Sequence, residues 1–315
     1  MKKNSKIWVA GCKGLVGSAI LRKLQSNGYT NIIINDRSTV DLISQEQVRN
    51  FFEKETPEYV FLAAAKVGGI KANTLYKGEF IYNNLMIETN IMHYSYKYNV
   101  KKLIFLGSNC VYPKVCQQPI KEEYLLSGRL EETIDAYAVA KIAGIKMCQS
   151  YNQQYGTNFI SAMPCNIYGI NDNYHNENAN VFASIIRKLH EAKIAGEKHI
   201  FLWGDGTPMR EFLHADDLAD ACYFLMRSNN TPELINIGSG KDYTILEISN
   251  IIRDVIYPEC KILFNNNKEL NGTHRKLFDN SLLLSLGWKP KINLKKGIKI
   301  AYEDFLMKSL EFKIN

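Results

Sequence analysis

Along the first two-thirds of the chain, short runs of apolar, often β-branched residues alternate with long amphipathic stretches. Residues 6–10 read as a strand and 15–27 as a helix, then 32–34 as a strand and 45–54 as a helix. Residues 59–63 and 102–106 read as strands around a long helical stretch, roughly 80–98. A further helix is predicted over about 133–155, and 159–163 is another strand. Strand runs without polar alternation, joined by helices, predict a parallel sheet covered on both faces. Right-handed crossovers then make it an α/β, Rossmann-like doubly wound sheet.

After Pro164 the rhythm changes. Residues 171–180 (NDNYHNENAN) are polar and turn-rich, an expected place for a site loop. From about residue 236 the elements shorten, which predicts a smaller C-terminal α/β substrate-binding cap. A length of 315 residues suits two units at roughly 150 each. The expected division gives a nucleotide-binding domain over 1–170 with a returning segment at about 207–236. The cap then takes 171–206 and 237–315.

Composition narrows the class. Hydrophobic residues are 46% and charged residues 23%, ordinary for a globular protein. The 39 Lys+Arg against 32 Asp+Glu leave a formal charge of +7, scattered without a block of five or more like charges. That excess suits a phosphorylated small molecule as well as nucleic acid, and no nucleic-acid partner is expected. No apolar run approaches the ~18 residues of a membrane span, so no membrane partner is expected. The basic start carries too short an apolar piece for a signal peptide, and a cytoplasmic protein is expected. The 7 cysteines form no C-x-x-C pair, which argues against a disulfide framework and against a metal site.

The sequence Gly11-Cys12-Lys13-Gly14-Leu15-Val16-Gly17 follows the first predicted strand and opens the first predicted helix. One glycine permits a sharp turn, a second lets the backbone approach a pyrophosphate, and a third lets helix pack on strand. The helix N-terminus offers free N–H groups and positive dipole to phosphates. The second strand ends Asn35-Asp36-Arg37. An acidic residue there suits the ribose 2′-OH of NAD, whereas an arginine suits the 2′-phosphate of NADP. Both occur; Lys13 adds a cation, which favours NADPH over NADH.

Tyr137 and Lys141 stand at i and i+4, on one helix face. Ser108 closes the fourth predicted strand, at the carboxyl edge where ligands bind in such sheets. Hydride addition to a ketone creates an alkoxide that needs a proton, and a tyrosine can supply it. A nearby ammonium lowers the tyrosine pKa, and a hydroxyl hydrogen-bonds the carbonyl oxygen.

With these residues the chain resembles the extended short-chain dehydrogenases/reductases, and more closely the GDP-L-fucose synthase family. The resemblance rests on Ala63-Ala-Ala-Lys-Val-Gly-Gly-Ile70, Leu106-Gly-Ser-Asn-Cys-Val-Tyr-Pro113, Tyr137-Ala-Val-Ala-Lys-Ile-Ala-Gly-Ile145 and Trp203-Gly-Asp-Gly-Thr-Pro-Met-Arg-Glu-Phe-Leu-His214. It runs from the first strand to about Trp288. It implies 3,5-epimerisation of a GDP-4-keto-6-deoxy-sugar followed by NADPH-dependent reduction at C4. Tyr137 becomes the proton donor, Lys141 its partner and Ser108 the carbonyl hydrogen-bond donor. Leu106, Gly107, Pro164, Cys165, Asn166 and Ile167 are implied around the cofactor, and Arg37, Asp41 and Leu42 at its adenosine end. Lys188, Trp203, Arg210 and Asp279 are implied to bind the GDP-sugar; at Lys188 the family pattern has Arg.

The family assigns epimerisation to a cysteine and a histidine. Cys110 is present, but Asn180 stands at the histidine position. An amide does not exchange a proton near pH 7. His175 is nearby, yet the family carries a histidine there in addition to the catalytic one. Reduction with weak or absent epimerisation is therefore expected, on a GDP-hexose or a related heptose; the alternative is a complete bifunctional enzyme. A non-catalytic dinucleotide sensor would usually lack the Tyr/Lys pair. The resemblance also implies a homodimer, paired through helix 80–98 and the Tyr137 helix.

Overall fold

The structure, a computed structural model, describes residues 1–175, 179–267 and 272–311. The chain starts with β1 (Ile7–Ala10), α1 (Leu15–Ser26), β2 (Ile32–Ile33), α2 (Gln45–Glu55) and β3 (Tyr59–Leu62). Next come α3 (Ile70–Leu75), α4 (Lys77–Lys97), β4 (Lys102–Leu106), α5 (Asp135–Tyr155) and β5 (Phe159–Pro164). Then follow β6 (Asn166–Tyr168), α6 (Val181–Ala195), β7 (His199–Leu202), β8 (Met209–His214), α7 (Ala215–Arg227) and β9 (Leu234–Ile237). The chain continues through β10 (Asp242–Thr244), α8 (Ile245–Ile256), β11 (Lys261–Phe264), β12 (Arg275–Lys276), α9 (Ser281–Ser285) and α10 (Leu294–Glu311).

Six strands form one sheet in the order β2-β1-β3-β4-β5-β9. Every pairing in it is parallel. The chain winds outward from β1 to β2, then returns across β1 to β3. This reversal leaves a crevice at the carboxyl ends of β1 and β3, where α/β sheets bind ligands. The residues of β1, β4 and β5 are buried throughout, in keeping with their mostly apolar runs; Lys102 and Ser161 are the polar residues buried with them. The predicted doubly wound sheet is present. The second strand is shorter than expected: it pairs over two residues, and Ile34 beyond them is 54% exposed.

A second set of strands lies later in the chain. β8 pairs with β10 and β12, β6 pairs with β8, and β7 pairs with β11. Phe182, Ile186, Leu189, Ile248, Ile252 and Ile298 from α6, α8 and α10 belong to an apolar core separate from that of the six-stranded sheet. Phe278, Leu283 and Trp288 pack instead into the larger core. The start of α8 is held by Thr244 and Glu247, whose side chains and backbone N–H groups cap each other reciprocally. Among the described residues no helix is long and apolar enough to cross a membrane.

Candidate active site

The glycine turn occupies the crevice beside β1. Gly11 has φ +85°, and a Cβ there would lie 2.7 Å from the Ala64 nitrogen. Gly17, in the first turn of α1, packs under the Gly11 carbonyl, where a Cβ would sit 2.0 Å from its oxygen. Gly14 is the N-cap of α1; a Cβ there would meet only the Gly11 oxygen at 3.5 Å. Among the described residues no side chain caps this helix start. The backbone at Leu15, Val16 and Gly17 therefore fits a pyrophosphate, with space kept by glycines. The buried Cys12 thiol donates to the Asn35 carbonyl at 3.3 Å, and the Trp8 indole donates to Asn35 Oδ1 at 2.6 Å. Cys12 thus ties the glycine turn to the end of β2.

The Asp36 carboxylate is turned into its own loop. Oδ1 accepts the backbone N–H groups of Ser38 and Thr39 at 2.9 and 3.2 Å, together with the Ser38 hydroxyl. Oδ2 takes the Lys13 ammonium at 2.5 Å. Lys13 and Ser38 hold this carboxyl well below the usual carboxylate range. Both oxygens are thus engaged, and Arg37 stands exposed beside them. Asp41 caps the Ile43 N–H, and the Leu42 carbonyl accepts from Asn90 at 3.1 Å.

Helix α5 carries Tyr137 and Lys141 one turn apart, at the end of β4. Lys141 is 2% exposed; its Nζ donates to the Leu106 carbonyl at 3.0 Å and lies 5.8 Å from the Tyr137 ring centre. Ser108 accepts from the Cys110 N–H at 3.4 Å and stands beside Tyr137, close enough to act on its phenol. Tyr137 is partly exposed, with the Phe80 ring edge-on at 6.4 Å. Its dense surroundings push the phenol pKa well up, Cys110 and Glu88 reinforce this, and Ser108 opposes it. Asn84 anchors the conspicuous 63–70 segment against α4. Its side chain accepts from Lys66 N–H at 2.9 Å and donates to the Lys66 carbonyl at 3.0 Å.

Cys110 is buried in the short helical turn Asn109–Val111, and burial raises its thiol pKa. Asn109 donates to Asn166 Oδ1 at 3.2 Å, and Asn166 donates to the Glu211 carbonyl at 2.9 Å. The turn after β4 is therefore tied to the Pro164–Cys165–Asn166 segment and to β8. Pro164 ends β5, Cys165 is buried, and Ile167 pairs in register with Leu213. At Gly107 a Cβ would strike the Met163 side chain at 2.0 Å.

Arg210 and Lys276 are neighbours in register on β8 and β12. Lys276 is 7% exposed and donates to the Asn109 carbonyl at 3.2 Å. Burial pushes Arg210 down to about 10, with Glu131 opposing the shift, so it stays cationic at neutral pH. Lys188 on α6 donates to the Phe201 carbonyl at 2.7 Å and lies 5.9 Å from the Trp203 ring, which is 63% exposed. Asp279 Oδ1 accepts the Ser281 N–H at 2.8 Å. The structure thus pairs Arg210 with Lys276 and groups Lys188 with Trp203. Asn180 is the exposed N-cap of α6; its carbonyl accepts from Ser184 at 2.9 Å, and no side-chain cap is made among the described residues. His175 is exposed as well, while 176–178 of the predicted loop lie outside the described residues. His214 caps α7, its Nδ1 accepting from Asp216 N–H at 3.2 Å, in keeping with a structural part.

Sequence reasoning missed Glu88 and Lys276. Glu88 carried a faint signal, an acidic residue on the same helix face as Phe80, Asn84 and Ile91. Lys276, on a two-residue strand, carried none.

Residues 7–238 match the NAD dependent epimerase/dehydratase family. The chain is 52% identical over 306 residues to a putative GDP-L-fucose synthase 2 of Arabidopsis thaliana, covering 97% of this chain and 93% of that one. It is 44% identical over 310 residues to GDP-L-fucose synthase of Escherichia coli K12, covering 96% of each. The chain belongs to the GDP-L-fucose synthase family. A solved structure described as a GDP-mannoheptose C4 reductase from Campylobacter jejuni with NADP bound superposes with a TM-score of 0.87 at 41% identity. That match covers 97% of this chain and 99% of the other. As a GDP-L-fucose synthase family member the chain is an oxidoreductase, and NADPH is the cofactor of this family.

Proposed function

We propose that the chain reduces the C4 ketone of a GDP-4-keto-6-deoxy-sugar, a hexose or a related heptose, with NADPH. 3,5-Epimerase activity is weak or absent. The observation that carries this is the contrast between two halves of one site. Tyr137, Lys141 and Ser108 are assembled at the end of β4, whereas Asn180, the residue we align with the family's histidine, is an exposed amide. The Campylobacter C4 reductase supports the reductive half. The Asp36 carboxylate, turned into its own loop and onto Lys13, supports NADPH, because it is drawn away from a ribose 2′-OH while Arg37 stands exposed for a phosphate.

When bound, NADPH supplies a hydride to the carbonyl carbon. Ser108 holds the carbonyl oxygen, and Tyr137 Oη gives its proton to the alkoxide that forms. Lys141 holds the nicotinamide ribose and steadies the tyrosinate until solvent restores the proton. Arg210 meets the diphosphate as a fork, and Lys188 as a point charge. Trp203 offers an exposed face for the base or sugar. We assign Leu106, Gly107 and residues 164–167 to the nicotinamide end, and Arg37, Asp41 and Leu42 to the adenosine end. The nucleotide domain takes 1–170 with about 207–236, and the cap takes 171–206 and 237–315. We further assign a cytoplasmic homodimer joined through α4 and α5, on which Tyr82, Val139 and Tyr155 are exposed.

Cys110 favours a second reading, a complete bifunctional enzyme, since half of the epimerase pair is in place. Incubating the protein with GDP-4-keto-6-deoxy-mannose in D₂O without NADPH separates the two. Slow or absent deuterium uptake at C3 and C5, rising in Asn180→His, is expected. Rapid uptake by the unaltered protein overturns the reductase-only assignment.

A further inference from the structure

The strongest chemistry not absorbed by this assignment lies behind Lys141. Glu88, on α4, places Oε1 2.7 Å from Lys141 Nζ, and the two side chains are 1% and 2% exposed. Among the described residues neither carboxylate oxygen has another partner. The space is built for it: a Cβ at Gly144 would lie 2.7 Å from Glu88 Oε2 and 2.6 Å from the Phe105 ring. A buried carboxylate is costly unless a cation answers it, and the cation here is the one beside the reacting tyrosine.

We propose that Glu88 is a positioning residue for the reduction: its carboxylate fixes the Lys141 ammonium and offsets its charge, so that Tyr137 meets the substrate as a phenol. This rests on the reductase assignment of the same site. The ammonium has three N–H donors. The Leu106 carbonyl accepts one of them and the Glu88 carboxylate pairs with the charge, which holds the ammonium at the end of β4 beside Tyr137. A lone buried ammonium next to the phenol would favour tyrosinate, the form that removes a proton and suits alcohol oxidation. Burial pushes the Glu88 carboxyl up and the Lys141 ammonium opposes that shift; with the carboxylate ionised, the pair is close to neutral and Tyr137 keeps the proton that reduction consumes.

The charged and titratable groups around Tyr137 come from several elements. Glu88 stands on α4, Lys141 on α5 itself, and Cys110 and Ser108 in the turn after β4. Lys276 on β12 acts on Cys110, and Cys148 on α5 faces Glu88. Of these, Glu88 is the carboxylate, and removing its charge leaves the Lys141 ammonium unopposed beside the phenol.

The test follows the Tyr137 proton directly. Protein labelled with ¹³Cζ-tyrosine is titrated by NMR without cofactor or substrate, and the Tyr137 signal is assigned by its loss in Tyr137→Phe. In the unaltered protein Tyr137 should titrate at or above the ordinary tyrosine value of about 10. A midpoint below about 9 overturns the proposal without any variant. Glu88→Gln should lower that midpoint by about one pH unit or more, a tenfold change in ionisation. The basic limb of kcat/KM for NADPH oxidation should move down with it. Glu88→Asp, which keeps the charge, should restore part of the shift. A folded Glu88→Gln protein with an unmoved Tyr137 midpoint also overturns the proposal, because a merely structural carboxylate would lower stability and leave the titration in place. The NMR arm needs no substrate, so it separates failure of this proposal from failure of the reductase assignment, which would appear as no turnover in the unaltered protein.

Discussion

The three glycines of the cofactor turn do different work, and alanine at two of them separates that work. At Gly17 the new methyl would lie 2.0 Å from the Gly11 oxygen, 2.6 Å from its carbon and 2.9 Å from Cys12 Cα. All three are backbone atoms of a turn already pressed against Ala64, so α1 must move away from β1. Overpacking of this kind costs ~1–3 kcal/mol. In a domain of this size that is a fall in Tm of roughly 2–10 °C. At Gly14 the methyl would sit at ordinary contact, 3.5 Å from Gly11 oxygen, and φ is −82°, open to any L-residue. The small loss of N-cap preference is offset by the reduced entropy of the unfolded chain, so Tm should hold within roughly 2 °C. That methyl, however, projects where a pyrophosphate must approach the N-terminus of α1. Gly14→Ala should weaken NADPH binding about tenfold or more, equivalent to about 1.4 kcal/mol. Calorimetric melting and NADPH fluorescence titration on both variants provide the comparison. The reasoning fails if Gly17→Ala melts with the unaltered protein, or if Gly14→Ala binds NADPH with unchanged affinity.

Further outcomes are expected. Tyr137→Phe should lower kcat for reduction ~10²–10⁴-fold while NADPH affinity, read by fluorescence, stays within about twofold; near-normal turnover would remove Tyr137 from the proton step. Arg37→Ala should weaken NADPH binding about tenfold to a hundredfold and leave NADH unaffected, since a charged phosphate contact contributes ~1.5–3 kcal/mol; equal losses for both cofactors would count against a 2′-phosphate site there. Burial pushes the Asp172 carboxyl up to about 7 from its ordinary 3.8. The native state then holds a proton that the unfolded chain releases, so stability should decline as pH rises from about 4 to 7, by up to ~4 kcal/mol. Asp172→Asn should remove this decline, and its urea-unfolding advantage over the unaltered protein should grow across that window; a difference that is flat with pH refutes the assignment.

Much of the scaffold was legible because its signals are local. The mostly apolar runs of β1, β4 and β5, without polar alternation, point to strands buried on both faces, and β4 spans the expected residues 102–106. A strand, a glycine turn and a helix in immediate succession place a phosphate site without reference to the rest of the chain. Tyr137 and Lys141 share a face through helical periodicity alone. The second strand was less legible, because Ile34 is as apolar as its neighbours but lies beyond the two-residue pairing with β1, with no partner strand among the described residues.

The sequence by itself determined the doubly wound sheet, the position of the glycine turn and the Tyr137–Lys141 pair. Tertiary structure alone decided which of these groups meet others and in what state. It turned Asp36 into its own loop and onto Lys13 and left Arg37 exposed beside them, an arrangement that Asp36-Arg37 in sequence left open. It brought Lys276 from a late two-residue strand to the backbone beside Cys110, and Glu88 from α4 to the ammonium of Lys141. The physical reason is range. Periodicity, turns and helix faces are set by neighbours along the chain, whereas the charge beside a reacting proton is set by helices and strands that pack from far away in sequence.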